Sequence, residues 1–313
     1  MDSSRPKLSG IVPPMVTPLL DIDRLDEPGL ERLINRMVEG GVAGIFVLGT
    51  TGEAPSLSYR LRRELVARSA KIINGRVPML VGITDTSIVQ SLEVADAAAE
   101  AGADALVLAT PYYFPAGQTE LLGYVRRICE RLPLPLMLYN MPSLTKIWFE
   151  LDTLRQLSDL PNIIGIKDSS GDLDYFASIV RLKEHRPDWS ILIGPEQLLP
   201  QAMALGGDGG VHGGGNCFPR LFTELYTAVT TGDNTRAQRL SSIVDKFQAI
   251  YDIGKYGSRF IKATKSALSV LGVCSDCLAE PFNHFLPPER EQVVAILNSL
   301  AELDSDGVLG DVS

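Results

Sequence analysis

A lysine directly behind an apolar run is an uncommon place for a charge, and Ile163-Ile164-Gly165-Ile166-Lys167-Asp168-Ser169-Ser170 puts one there. A strand alternates its faces. Lys167 is therefore expected to share a side with Gly165 and Ile163, with Ile164 and Ile166 looking away and Gly165 leaving room beside the amine. In water only about 1 lysine in 2,500 is neutral at pH 7, from an ordinary pKa of ~10.4. Apolar surroundings favour the neutral amine, which attacks a ketone and forms a Schiff base. The same lysine could instead snorkel from a strand end to the surface, and this stretch alone favours that reading until the rest of the chain overturns it.

Other groups able to take part in such chemistry stand at the ends of other apolar runs. Gly49-Thr50-Thr51-Gly52-Glu53 offers backbone amides and two hydroxyls that can converge on a small anion such as a carboxylate. A plain glycine turn with a capping threonine reads equally well. Tyr139-Asn140-Met141-Pro142 sets a phenol on the face of Met137, where it can reach the amine of the next strand. Thr110 to Pro115 is aromatic, with Tyr112, Tyr113 and Phe114, and such stretches more often pack than react. Gly194-Pro195-Glu196-Gln197 carries a carboxylate, and the glycines from Gly209 to Gly215 leave space for a ligand.

The elements that must position these groups recur at about thirty-residue spacing. Apolar segments at Ile11–Val16, Gly44–Leu48, Pro78–Gly82, Ala105–Leu108, Pro135–Tyr139, Ile163–Ile166, Ser190–Gly194 and Gly207–Gly215 make eight strands. Helix-period segments separate them at Pro28–Glu39, Leu57–Ile73, Ile88–Ala101, Thr119–Arg131 and Leu173–Glu184, with start signals at Asp26 and Ser58. Continuous apolar strands alternating with helices imply a buried parallel sheet, and eight units are the number of a (β/α)8 TIM barrel, whose sites lie at the C-terminal strand ends. A doubly wound open sheet is the alternative, but no strand is followed by G-x-G-x-x-G or a P-loop lysine. Beyond Leu221 the pattern is wholly helical, through Thr235–Tyr251, Ser258–Leu271 and Glu289–Leu303. We divide the chain into a barrel, residues 1–232, and a helical C-terminal extension, 233–313, whose polar tail from Glu302 is expected to fray.

Composition narrows the classes. With 45% hydrophobic and 21% charged residues and 28 glycines the chain reads as a globular enzyme, and no apolar run approaches a membrane span. The first ten residues lack the apolar core of a secretory signal, so a cytoplasmic protein is expected. A net charge of −9 without a basic block argues against nucleic acid. Four cysteines make no disulfide framework, and Cys274-Ser-Asp-Cys277 has neither a second pair nor more than His284 near it. With three histidines in the chain, neither a metal site nor a Ser-His-Asp triad is expected, and no cofactor is implied.

Taken in order and spacing, G-T-T-G-E at Gly49–Glu53, Y-N-x-P at Tyr139–Pro142 and G-I-K-D at Gly165–Asp168 resemble the pyruvate-dependent class I aldolases. That family includes dihydrodipicolinate synthase, N-acetylneuraminate lyase and 2-keto-3-deoxy sugar acid aldolases. The resemblance runs from Pro13 to beyond Asn216. It implies a TIM barrel with a helical tail, usually a homotetramer, in which Lys167 forms the imine with pyruvate or another 2-keto acid and Tyr139 shuttles the proton. It further implies that Thr50 links Tyr139 to Tyr113, the latter often lent by a neighbouring subunit. Thr51 would hold the keto-acid carboxylate with the Val211 backbone nearby, and Glu196 would receive substrate hydroxyls.

One position departs from the synthases. They carry an arginine two residues after the Y-N-x-P proline to bind the carboxylate of aspartate semialdehyde, and here that residue is Leu144, with Lys146 the nearest replacement. A leucine pairs with no carboxylate. Leu144, and Pro55-Ser56-Leu57-Ser58 after the glycine turn, look more like the sugar acid aldolases. The leading expectation is thus an aldolase or dehydratase for a 2-keto-3-deoxy sugar acid, with an aldehyde as pyruvate's partner. Dihydrodipicolinate synthase is second, and a non-catalytic keto-acid-binding homologue is third.

Overall fold

The computed structural model describes residues 7–310. Met1–Pro6, most of the stretch read above for a signal, and Asp311–Ser313, the end of the expected frayed tail, lie outside the described residues. Eight strands form one sheet: β1 (Gly10–Ile11), β2 (Ile45–Val47), β3 (Met79–Gly82), β4 (Ala105–Ala109), β5 (Leu136–Asn140), β6 (Ile163–Asp168), β7 (Ser190–Ile193) and β8 (Gly209–Gly210). Their hydrogen-bonded order is β1-β8-β7-β6-β5-β4-β3-β2. Gly10 N–H donates to the Asp208 carbonyl just before β8. The chain after β1 pairs with β2 through Met15 N–H to the Phe46 carbonyl (2.8 Å) and Phe46 N–H to the Pro13 carbonyl (3.0 Å). Every strand therefore has two neighbours, which is the order of a (β/α)8 barrel.

The helices are α1 (Glu27–Glu39), α2 (Tyr59–Ile73), α3 (Ile88–Glu100), α4 (Gln118–Cys129), α5 (Leu151–Leu157), α6 (Leu173–Val180), α7 (Leu199–Ala204), α8 (Pro219–Thr231), α9 (Asn234–Gln248), α10 (Arg259–Val270) and α11 (Pro287–Ala301). Both expected start signals are present as caps: the Asp26 carboxylate accepts from Gly29 N–H, and the Ser58 hydroxyl accepts from Leu61 N–H. Two helices escape the sequence reading, α5 and α7, because six or seven residues are under two turns and show no stable period. A hairpin of Leu19–Asp21 with Arg24–Leu25 escapes it too, its strands being shorter than any alternation that could be counted.

Backbone proximity groups the chain into two compact units, residues 1–10 with 80–211, and residues 11–79 with 212–313. The first unit carries β4 to β8 and buries Leu106, Leu108, Leu138, Ile166, Ile191, Phe149, Phe176 and Trp189. Trp189 donates its indole N–H to the Ile163 carbonyl at 2.9 Å, so this large ring is buried without an orphaned donor. The second unit carries β2, α1, α2 and the C-terminal helices, with Leu30, Leu33, Leu61, Leu65, Phe218, Phe222, Phe247 and Leu268 buried.

The tail corrects an expectation. Residues 302–310 are tied down: the Asp304 carboxylate accepts from both Val308 N–H and Leu309 N–H at 2.8 Å, and Val308 and Leu309 are buried. Arg239 of α9 pairs with Asp306. A polar, glycine-bearing stretch reads as a loose end, but here one carboxylate satisfies two backbone donors and lets two apolar side chains seat.

Candidate active site

Strand β6 is built around a bulge. Leu136 of β5 faces Ile163, while the next β5 residue, Met137, faces Gly165, so Ile164 is the extra residue. From there the register is regular, with Tyr139 opposite Lys167 and Asn140 opposite Asp168. The extra residue reverses the alternation. Ile163 therefore does not share the face of Lys167, contrary to the strict alternation read from the sequence; Gly165, Lys167, Met137 and Tyr139 do. Gly165 has φ of +150°, and a Cβ on it would overlap the Ser190 carbonyl oxygen. The glycine thus admits the neighbouring backbone and leaves no room beside the amine.

The register brings the two leading residues together. Lys167 is 4% exposed, and its Nζ lies 4.0 Å from the centroid of the Tyr139 ring, itself 5% exposed. The lysine is buried in the strand pair and does not snorkel to the surface. A cationic group over the face of a phenol ring makes an attractive contact, and it holds these two side chains together.

On the other face of the same strand pair lies a network that the sequence reading did not single out. Asn140 Nδ2 donates to the Asp168 carboxylate at 2.8 Å, as does the Ser170 hydroxyl at 2.8 Å. Asn140 Oδ1 accepts from Phe149 N–H, and the Asn140 carbonyl accepts from Ser169 N–H. Burial pushes the Asp168 carboxyl above its ordinary range, against the pull of the hydrogen bonds from Asn140 and Ser170. These bonds lock the exits of β5 and β6 in one register. The asparagine after Tyr139 and the aspartate after Lys167 were the available signals, because adjacent strand residues face opposite ways.

Strain gathers at the strand exits. Five described residues other than glycine have positive φ; Asn74 caps α2, and the others are Leu48, Glu53, Tyr113 and Lys146, which follow β2, β4 and β5. Such conformations cost roughly 1–3 kcal/mol each and persist where surrounding contacts impose them. Tyr113, with φ of 79°, is 83% exposed and meets the Phe114 ring edge-on at 5.0 Å. Leu144 stands half-exposed on a single helical turn, Pro142–Thr145. That turn is anchored by the Thr110 hydroxyl donating to Thr145 at 2.6 Å. Lys146 donates its Nζ to the Ser143 carbonyl at 2.6 Å.

The remaining first-unit residues are buried. Glu196 is 5% exposed, in a single 3₁₀ turn after β7. Val211 N–H is used in the sheet, donating to the Ile193 carbonyl at 2.8 Å, which leaves its carbonyl as the backbone group able to meet a ligand. Three of the glycines from Gly209 to Gly215 do not leave the space expected of them. A Cβ on Gly209 would overlap the Gly10 backbone, one on Gly214 would overlap the Phe222 and Phe247 rings, and one on Gly215 would overlap Pro13. Close packing explains them.

In the second unit, Thr50 and Thr51 follow β2 in a turn closed by Glu53 N–H to the Thr50 carbonyl at 3.0 Å. Thr51 is buried and Thr50 half-buried. The Thr17 hydroxyl donates to the Gly52 carbonyl at 2.6 Å. Glu53 is buried and ion-paired to Lys265 of α10 at 2.5 Å. Sequence reading missed Lys265, though it breaks the apolar stripe Ile261–Leu268 of an amphipathic helix, which marks a buried cation. Burial raises the thiol of Cys274 to about 12 and pushes Cys277 upward, so neither is a ready thiolate.

A parallel sheet of eight strands with a buried lysine on β6 and a phenol beside it on β5 has the arrangement of a class I aldolase, in which an amine forms an imine with a carbonyl substrate. The sequence matches the dihydrodipicolinate synthetase family over residues 7–300. The 4-hydroxy-tetrahydrodipicolinate synthase of Phenylobacterium zucineum is 33% identical over 293 residues, 93% of this chain and 97% of that protein. The dihydrodipicolinate synthase of Bacteroides thetaiotaomicron superposes with a TM-score of 0.90 at 48% identity, covering 93% of this chain and 98% of the other. YagE of Escherichia coli K12, a putative 2-dehydro-3-deoxy-D-gluconate aldolase, is 30% identical over 93% of this chain and 97% of its own length. Its structure in complex with pyruvate gives a TM-score of 0.89, covering 94% of this chain and 98% of that one. This chain belongs to the dihydrodipicolinate synthetase family, and it is a lyase of the class I aldolase type. Among the described residues no helix is long and apolar enough to cross a membrane.

Proposed function

We propose that this lyase acts on a 2-keto-3-deoxy sugar acid, making or using pyruvate through an imine on Lys167, as a cytoplasmic homotetramer. The observation that carries the reading is the Lys167 amine held 4.0 Å over the Tyr139 ring in a buried strand pair. Lys167 Nζ adds to the ketone carbon, and its two protons leave with the ketone oxygen as water. Protonated on nitrogen, the imine draws electrons from the bond between C3 and C4 and becomes an enamine. Tyr139 takes the C4 hydroxyl proton as that bond breaks, an aldehyde leaves, and a proton returned to C3 precedes hydrolysis to pyruvate. Thr50 and Tyr113 pass the proton onward, Tyr113 from a neighbouring copy, for which its exposed, strained position suits it. Thr51 receives the carboxylate end with the Val211 carbonyl nearby, and Glu196 receives the sugar hydroxyls.

The sugar acid is favoured over aspartate semialdehyde by Leu144, since Lys146, the cation two residues along, is engaged with the Ser143 carbonyl. A charged hydrogen bond supplies about 1.5–3 kcal/mol, so its absence should lower kcat/KM for the semialdehyde by roughly 10-fold to 150-fold. The synthase reading has its own support in the name of the 48% identical neighbour. Measuring kcat/KM with pyruvate and either aspartate semialdehyde or glyceraldehyde, in wild type and in Leu144→Arg, decides between them. Efficient condensation of the semialdehyde by the wild type would overturn the sugar acid reading.

A further inference from the structure

We propose that Lys265 is a positioning residue for the carboxylate-binding turn, acting through Glu53; the inference rests on the reaction read above. Glu53 and Lys265 form a completely buried ion pair in the second unit, 2.5 Å apart with both side chains 0% exposed. Neither touches the reacting groups in the proposed chemistry, so their burial needs another reason. Removing two charges from water costs about as much as their attraction returns, and a buried pair is weak support for stability as such. What a pair of this kind supplies is a fixed geometry.

The geometry it fixes is the Thr50-Thr51 turn. Glu53 closes that turn, and its backbone has φ of 58°, while Leu48 at the other end has φ of 59°. Two left-handed side-chain-bearing residues bracket four residues, a conformation that relaxes unless outside contacts hold it. The Thr17 hydroxyl on the Gly52 carbonyl is one such contact, and the Glu53 carboxylate adds two: one oxygen faces Lys265, and the other accepts from Ala279 N–H at 2.8 Å. Lys265 in turn donates to the Cys277 carbonyl at 2.6 Å. The turn is thus clamped by α10 and by the segment after it, over two hundred residues away in the chain. Losing the cation leaves a buried carboxylate that must move or take up a proton, and Glu53 carries the turn with it.

The test is pyruvate-dependent trapping by borohydride, read by mass as the pyruvyl adduct on Lys167, in wild type, Lys265→Met and Glu53→Gln/Lys265→Met. Lys265→Met should raise the pyruvate concentration for half-maximal trapping by about ten-fold or more, the equivalent of one hydrogen bond to a charged group. The rate at saturating pyruvate should stay within about three-fold. The double variant has a neutral amide that still accepts from Ala279 and needs no cation, so it should recover most of the affinity. If Lys265→Met does not fold, Glu53→Met/Lys265→Met, which buries no charge and also lacks the clamp, is compared instead and should show the same weakened binding. A folded Lys265→Met, or Glu53→Met/Lys265→Met, with wild-type pyruvate dependence overturns the proposal, as does a double variant that recovers nothing. Wild type that traps no pyruvate overturns the reaction reading and this inference together; wild type that traps, beside an equally avid Lys265→Met, overturns this inference alone.

Discussion

The Lys167–Tyr139 edge and the Thr50-Thr51 turn are held by opposite means. The first is set by strand pairing: a bulge at Ile164, regular register after it, and the Asn140–Asp168 bond on the reverse face. The second has little regular structure, and its strained backbone is held by a few tertiary contacts: the Thr17–Gly52 bond, the Ala279–Glu53 bond and the buried Glu53–Lys265 pair. A ladder places a side chain through many weak, redundant contacts, whereas a clamp does so through few strong ones. The edge should tolerate loss of any one side-chain contact, and the turn should not.

The largest effect expected is that of Lys167→Ala, which should abolish turnover and adduct formation while leaving the fold intact, since the reaction has no second route to the imine. Residual trapping by another lysine, seen by peptide mass, would break the comparison at its base. Gly165→Ala comes next. Its Cβ meets the Ser190 backbone at a φ that disfavours side chains, so denaturant unfolding should show a loss of about 3–5 kcal/mol. Tyr139→Phe keeps the ring under the amine and removes the hydroxyl; kcat should fall about 10²-fold with the unfolding midpoint unmoved. Unchanged kcat would make the tyrosine a packing group. Thr51→Val should raise KM for pyruvate about ten-fold with kcat nearly constant, the loss of one hydrogen bond to a charged carboxylate.

The smallest effect concerns pH. Asp168 has its folded pKa raised, so the folded state binds more protons than the unfolded chain between the ordinary aspartate value and the raised one. The favourable contribution of the protonated form is present below that window and lost as pH rises through it. In Asp168→Asn this downward slope of stability with pH should vanish, measured as unfolding free energy across the acidic range. An unaltered slope would assign it to other groups.

Much of this was legible in the chain. The eight strands, the helix caps at Asp26 and Ser58, and the nearness of Lys167 and Tyr139 follow from local patterns: apolar runs, capping residues and a two-residue period. The bulge was not legible, because Gly165 in a strand reads equally as a small residue and as a conformational necessity. Strain at Leu48 and Glu53 left no mark, since leucine and glutamate are ordinary residues for other backbones. The partnership of Glu53 with Lys265 lies in tertiary packing, where a helix stripe points to a buried cation and nothing local names its partner. The tail from Glu302 misled for a similar reason, its polarity concealing the Asp304 cap.

The bulge at Ile164 has a consequence for anyone re-engineering this strand. The face on which Lys167 emerges is decided by a residue count, independently of the side chain itself. Deleting Ile164 would restore simple alternation upstream and oblige either Lys167 or Ile163 to change sides, so a deletion that removes no functional group could silence the enzyme. Grafting the lysine and tyrosine onto another barrel would likewise require transplanting the miscount along with them.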